Sequence, residues 1–280
     1  MNADARLAGK RALVTGSGTG IGREIALEFA RQGADVALHY AHSGAGAESA
    51  AEAIQAMGCR SATFKADFDD LDEVVELARR AVRFLGGIDC LVNNAGITFN
   101  KPFLQVAREQ FDVLYHVNIR AQFFLTQEVA VNMLAGGGGS VCNITSIHGL
   151  QGAPEHSVYA GTKGAIIAYT RALAMELAHQ GIRVNAIAPG WVTVENYYSA
   201  IPGFSEEAGR ESARNAVPVG RAGTPQDVAK LATFLCSDDA AFIIGQTLVA
   251  DGGTTSLMSL FPDFREPSEN RFGKGYVPGV

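Results

Sequence analysis

The sequence predicts one α/β domain built on a doubly wound, mainly parallel sheet flanked by helices. Three observations carry that expectation. The 280 residues suit one large domain better than two small ones. Short apolar, β-branched runs alternate with longer segments of helical spacing, the pattern of βαβ units. A glycine-rich turn joins the first such run to the first helical segment, where α/β folds build an anion site.

The elements follow in order. Residues 11–15 (RALVT) form a short apolar strand, and 21–31 a helix with Ile21, Ile25 and Phe29 on one face. Residues 36–39 form the second strand, 47–57 an Ala-rich helix, 62–65 a third strand and 71–84 another helix. Residues 88–92 (IDCLV) make the next strand, and 103–134 read as one long, mostly helical stretch. After a four-glycine turn comes strand 140–144, then helix 158–179 and strand 183–187. Thr224 as N-cap and Pro225 at the first helical position open helix 225–235, and 246–249 closes the sheet. This domain is expected to span 1–255. Residues 256–280 form an extension whose end, from Phe261, is rich in Pro, Gly and charge with Phe and Tyr interspersed. It reads either as a frayed terminus or as an arm packing on its own or a neighbouring subunit.

Composition narrows the function. A net charge of −6 disfavours nucleic-acid binding, which needs Lys and Arg against phosphates. No continuously apolar run approaches the ~20 residues that span a bilayer, and the first ten residues lack the apolar stretch of a signal peptide. A cytoplasmic protein handling a small molecule is expected, without membrane or nucleic-acid partners. Cys59, Cys90, Cys142 and Cys236 are scattered, without the spacing of a disulfide framework or zinc site. His148 and His156 have no third ligand at convincing spacing, so no metal is expected.

The turn at 15–22 reads TGSGTGIG. Gly16, Gly20 and Gly22 let the backbone turn tightly and approach a pyrophosphate, while Thr19, Gly20 and Ile21 open a helix whose free N–H groups and dipole favour an anion. Its place between first strand and first helix makes it a dinucleotide fingerprint, and the fold Rossmann-like. An NAD site commonly has an acid at the end of the second strand; here the sequence reads His39-Tyr40-Ala41-His42-Ser43. Tyr40, His42 and Ser43 could donate hydrogen bonds to a 2′-phosphate, although Thr19 means that the loop supplies no cation. The expected cofactor is NADP, with NAD as the alternative.

Tyr159 and Lys163 lie four apart on a predicted helix and so share a face. An ammonium beside a phenol favours the phenolate, which lets the phenol exchange a proton with an alcohol near neutral pH. Alone, such a pair is more often a solvated helix face. Ser146, Asn93-Asn94-Ala95-Gly96 and Pro189-Gly190 change that reading, because each follows a predicted strand at its carboxyl end, where doubly wound folds bind ligands.

With these motifs the chain resembles the short-chain dehydrogenase/reductase family over residues 7–253, through TGSGTGIG, NNAG at 93–96, Asn118, Ser146, Y-x-x-x-K at 159–163, PG at 189–190 and DGG at 251–253. The resemblance implies that Tyr159 is the proton donor or acceptor and that Lys163 tunes it and holds the nicotinamide ribose. It implies that Ser146 orients the substrate oxygen and that Asn118 places a proton-relaying water. It puts Asp67, with Phe68 beside it, at the adenine, and Asn94, with Ala95 and Gly96, at the ribose. Pro189, Gly190 and Val192 complete the cofactor contacts. Family members usually carry Thr where this chain has Val194, so Thr193 is the substitute expected to hold the carboxamide. The resemblance also implies a homo-oligomer, commonly a tetramer packed through the helices before and after the fifth strand.

The substrate pocket is expected to draw on His148, Gln151, His156 and Trp191. These polar groups suit a sugar, polyol or hydroxy acid, each hydroxyl needing a partner, unless many of them face solvent. A 3-oxoacyl-carrier-protein reductase is one alternative, opposed by Glu195, Glu206, Glu207 and Glu211 against a lone Arg210. A non-catalytic cofactor-binding module is another, opposed by the presence of Tyr159 itself.

Overall fold

The computed structural model describes residues 5–195 and 205–257. Nearly all of the expected C-terminal extension therefore lies outside the described residues. Seven strands form one parallel sheet: β1 (Arg11–Val14), β2 (Asp35–Tyr40), β3 (Ser61–Lys65), β4 (Cys90–Asn93), β5 (Gly139–Ile144), β6 (Ile182–Pro189) and β7 (Thr247–Ala250), in the order β3-β2-β1-β4-β5-β6-β7. The winding reverses between β1 and β4, and the crevice beyond their carboxyl ends is where such sheets take ligands.

The strands are apolar without alternation because both faces are covered. Ala12, Val14, Val36, Leu38, Cys90, Val92, Cys142 and Ile144 point to one layer, built from helices α1 (Gly20–Arg31), α2 (Gly44–Ala56) and α8 (Pro225–Cys236). Leu13, Ala37, Leu91, Val141 and Val184 point to the other, built from α3 (Leu71–Leu85), α5 (Ala121–Ala135) and α6 (Ser157–Leu177). The helix signals hold where they were read. Thr224 Oγ1 accepts from Asp227 N at 3.3 Å, with Pro225 at the first turn. The three cysteines at 90, 142 and 236 are buried thiols.

Two expectations change. The stretch 103–134 is not one helix. A 3₁₀ turn (Phe103–Gln105) is followed by extended backbone at Val106 and Ala107, where Gln110 Oε1 accepts from Ala107 N at 3.2 Å and opens α4 (Arg108–Tyr115). Between α4 and α5 the spiral widens to a π turn over His116–Arg120. A helix that was not anticipated, α7 (Glu206–Ala216), starts at the N-cap Ser205, whose Oγ accepts from Ala208 N at 3.2 Å.

Candidate active site

The first sequence-marked turn is a cradle. Gly16 and Gly20 adopt φ of +63° and +54°, a region that other residues avoid. A Cβ on Gly22 would run into Gly16 O and Asn94 Nδ2. Asn94 braces the loop rather than facing outward: its Nδ2 donates to Thr15 O at 2.9 Å and to Gly16 O at 3.2 Å, and Thr15 Oγ1 accepts from Asn94 N and Ala95 N. The α1 N-terminus has no capping bond from Thr19. Its Gly20 N–H instead donates to the Glu195 carboxylate at 3.1 Å. A carboxylate at that donor is a stand-in anion, and it fits the site to a pyrophosphate.

A groove of about 620 Å³ runs from this loop past the ends of β2 and β3. Gly16, Thr19, Gly20, Ile21, His42, Ser43, Asp67, Phe68, Asn94, Ala95 and Gly96 line it. Tyr40 does not line it; its ring lies over Gly44 at the start of α2. Ile21, Asn94, Gly96 and Ile97 are shared with a second cavity of about 220 Å³, lined also by Ser146, Tyr159, Lys163, Pro189, Gly190 and Val192. The two volumes thus form one path from the β2 end to Tyr159. Thr193 lines neither; its N–H donates to Gly223 O at 3.1 Å, and Val194 takes the groove wall beside Gly20.

The path contains a residue that sequence reading passed over. His39 was read only as a strand residue, yet it is 1% exposed and stacks on Phe68 at 4.2 Å between ring centroids. Its Nε2 lies 3.0 Å from Ala66 O and must donate there, so Nδ1 accepts from Gly16 N at 3.1 Å. A neutral imidazole therefore ties the glycine loop to the β3 end. Burial lowers its pKa from 6.5 to about 4. The unfolded chain takes a proton near 6.5 and the folded chain does not. Stability is therefore full above pH 6.5 and is lost as pH falls towards 4, by about 3 kcal/mol. Denaturant unfolding at pH 6.5 and 4 is expected to lose that much more in the wild type than in His39→Asn. Equal losses would show that His39 does not carry the effect.

At the far end, α6 sets the reacting groups. Thr145 Oγ1 donates to Lys163 O at 2.7 Å and pins α6 to the end of β5. Lys163, 4% exposed, donates through Nζ to Ile144 O at 2.9 Å, and its Nζ lies 5.5 Å from the Tyr159 ring centroid. Burial lowers the Lys163 pKa from 10.5 to about 8, so at neutral pH it is still mostly a cation. Ser146 is buried at the same mouth, and its Oγ accepts from His148 N at 3.2 Å. Asn118, fully buried in the π turn, bonds through its side chain to Ile97 N (2.8 Å), Ile97 O (2.9 Å) and Thr162 Oγ1 (3.2 Å). It joins the loop after β4 to the turn of α6 between Tyr159 and Lys163.

Of the expected substrate residues, His148 meets Tyr159 and His156 stacks on His148, although neither lines the groove or the second cavity. The His148 ring meets Tyr159 edge-on at 5.8 Å and stacks on His156 at 4.5 Å. Burial, and then the neighbouring His156, lower the His148 pKa. Gln151 is exposed and reaches Thr255 O at 3.4 Å; Trp191 lines neither cavity. Among the described residues no group of three His, Cys, Asp or Glu side chains could hold a metal, and no helix is long and apolar enough to cross a membrane.

Comparison with known proteins places this geometry among relatives. A family model described as enoyl-(acyl carrier protein) reductase matches residues 16–255. The trihydroxynaphthalene reductase PfmaI of Pestalotiopsis fici is 38% identical over 258 residues, covering 89% of this chain and 91% of that protein. A 7α-hydroxysteroid dehydrogenase solved with NADH and a 7-oxo bile acid superposes with a TM-score of 0.83 at 36% identity, covering 90% and 97% of the two chains. A short-chain dehydrogenase from Burkholderia cenocepacia in complex with NADP gives a TM-score of 0.82 at 34% identity, covering 89% and 99%.

Proposed function

The chain belongs to the short-chain dehydrogenase/reductase family of NAD(P)-dependent oxidoreductases acting on CH–OH and C=O, and on that premise we propose that it reduces a hydroxylated ring ketone with NADPH. One observation carries the reading: the Tyr159 ring has the Lys163 ammonium 5.5 Å from its centroid and, edge-on at 5.8 Å, the His148 ring, which stacks on His156. The flat His148–His156 pair suits a planar substrate, and its ring nitrogens suit hydroxyls on that plane. The relative named for a trihydroxylated naphthalene supports the same class.

When bound, the nicotinamide supplies the hydride. The chain's own groups do the rest. Tyr159 gives its phenolic proton to the carbonyl oxygen, and the Ser146 hydroxyl donates a second hydrogen bond to that oxygen, stabilising charge as it develops. Lys163, held by Ile144 O, keeps a positive charge beside the phenolate that Tyr159 becomes. Asn118 positions these groups by locking the Ile97 loop to α6. Gly16, Thr19, Gly20 and Ile21 would hold the pyrophosphate, Asp67 and Phe68 the adenine, and Gly96, Pro189, Gly190 and Val192 the nicotinamide end.

Preference for NADP rests on the β2 end. Residues 39–46 contain no acid, and His42 and Ser43 line the groove there as donors. The relatives include one bound to NADH and one to NADP. Copies of the chain would pair through α5 and α6, the helices before and after β5, where Phe123, Val131 and Met175 are exposed. A sugar, polyol or hydroxy acid is the second reading, favoured by the polar His148 and His156 at Tyr159. A cofactor-linked absorbance screen over naphtholic ketones, sugars, polyols and hydroxy acids tests both. Turnover of naphtholic ketones, with KM for NADPH at least about tenfold below that for NADH (about 1.4 kcal/mol), is expected. Turnover confined to the sugars and acids would overturn the ring-ketone reading, and a lower KM for NADH the cofactor reading.

A further inference from the structure

Glu195 reaches back 175 residues in sequence to the glycine loop. Its Oε2 accepts from Gly20 N at 3.1 Å, the first N–H of a twelve-residue helix that has no acidic residue in its first turn and no side-chain cap from Thr19. Val194, one residue earlier, lies against Gly20 from the same side. The contact is anchored: Val192 bridges to Gly223, and Thr193 N donates to Gly223 O at 3.1 Å. An anion therefore already occupies the seat that a dinucleotide needs. Two anions cannot share one N–H group, and the helix dipole that favours either is the same.

We propose that Glu195 is an internal competitor for the cofactor's pyrophosphate, and so a residue that lowers dinucleotide affinity and returns to the seat when the cofactor leaves. The carboxylate is exposed, so it can swing into water without moving the Gly223 anchor. What it gives up on leaving is the Gly20 contact. An anion at an exposed helix N-terminus corresponds to about a two- to fivefold change in affinity. No bond is made or broken in the exchange.

Isothermal titration of the substrate-free, full-length protein with NADPH tests this. Glu195→Gln and Glu195→Ala are each expected to tighten NADPH binding by about two- to fivefold, with Ala, which removes the acceptor as well as the charge, at least as tight as Gln. Adenosine 2′-monophosphate, which lacks the pyrophosphate, is the control ligand, and its affinity is expected to be the same in all three proteins. Unchanged or weaker NADPH binding in both variants overturns the proposal. So does an equal tightening of adenosine 2′-monophosphate, which would assign the effect to overall charge. The titration involves no turnover, so a wrong substrate assignment leaves its result intact.

Discussion

Tyr159→Phe is expected to lower kcat by about 10²–10⁴-fold, the range for loss of a positioned proton donor. That is about 3–5 kcal/mol of transition-state stabilisation. The ring stays, so its packing against His148 and its place beside Lys163 stay with it. The variant is therefore expected to fold, which circular dichroism checks. Only the hydroxyl is lost, and with it the proton for the substrate oxygen. The fall should appear in kcat and kcat/KM alike, because the proton moves only in the transition state. Steady-state kinetics on whichever ketone the screen selects, with cofactor saturating, measures it. A variant turning over within tenfold of wild type would mean that another group protonates the substrate and that Tyr159 does not.

Lys163→Met separates stability from catalysis. Burial brings the wild-type ammonium from 10.5 to about 8, which means that the folded state resists the charge that the unfolded chain accepts. The sign follows. Below pH 8 both states are protonated, and the folded one bears the full burden of a buried cation. Between pH 8 and 10.5 the folded state releases its proton first, so the contribution of Lys163 to stability rises with pH by about 3 kcal/mol over that window. Methionine is unbranched and of similar length, and it has no such window. Denaturant unfolding from pH 7 to 10.5 is expected to show the wild type gaining that much relative to Lys163→Met, the buried thiols of Cys90 and Cys236 acting on both proteins alike. At pH 7 the variant loses the bond to Ile144 O, a penalty of about 1–3 kcal/mol, but escapes the buried charge, so the two are expected to be of similar stability. Activity, by contrast, is expected to fall at least about 10²-fold, because no cation then favours the tyrosinate. A variant that kept its activity would remove Lys163 from the reaction.

Much of this site was readable before the fold was. Strands buried on both faces are short apolar runs, and the residues following them stand out as glycine or polar punctuation. That is how Gly16, Asn94, Ser146 and Pro189 were found. Other features were hidden for physical reasons. His39 acts through a parallel neighbour: it reaches Gly16 only because β1 and β2 pair with Val14 opposite Leu38. The contact from Glu195 to Gly20 spans most of the chain. Helix α7 buries only Gly209 and Ala213, so it has no apolar stripe to announce it, although Ser205 before two glutamates was a start signal that could have been used. The break at Val106 and Ala107 leaves no proline or glycine at the bend, and 103–134 consequently looked continuous.

The widened turn at His116–Arg120 has a consequence for reading relatives of different length. A π turn is an α-helix carrying one surplus residue. Take that residue away and the helix closes without a break, its core contacts on either side kept because the widened turn had already absorbed the surplus, and only the residues of the turn itself point in new directions. Asn118 could then no longer reach both Ile97 and Thr162. A one-position gap in this helix, which in most helices would pass as harmless length variation, is therefore informative in an alignment. It separates chains that keep the inward-facing asparagine from chains that keep only the fold.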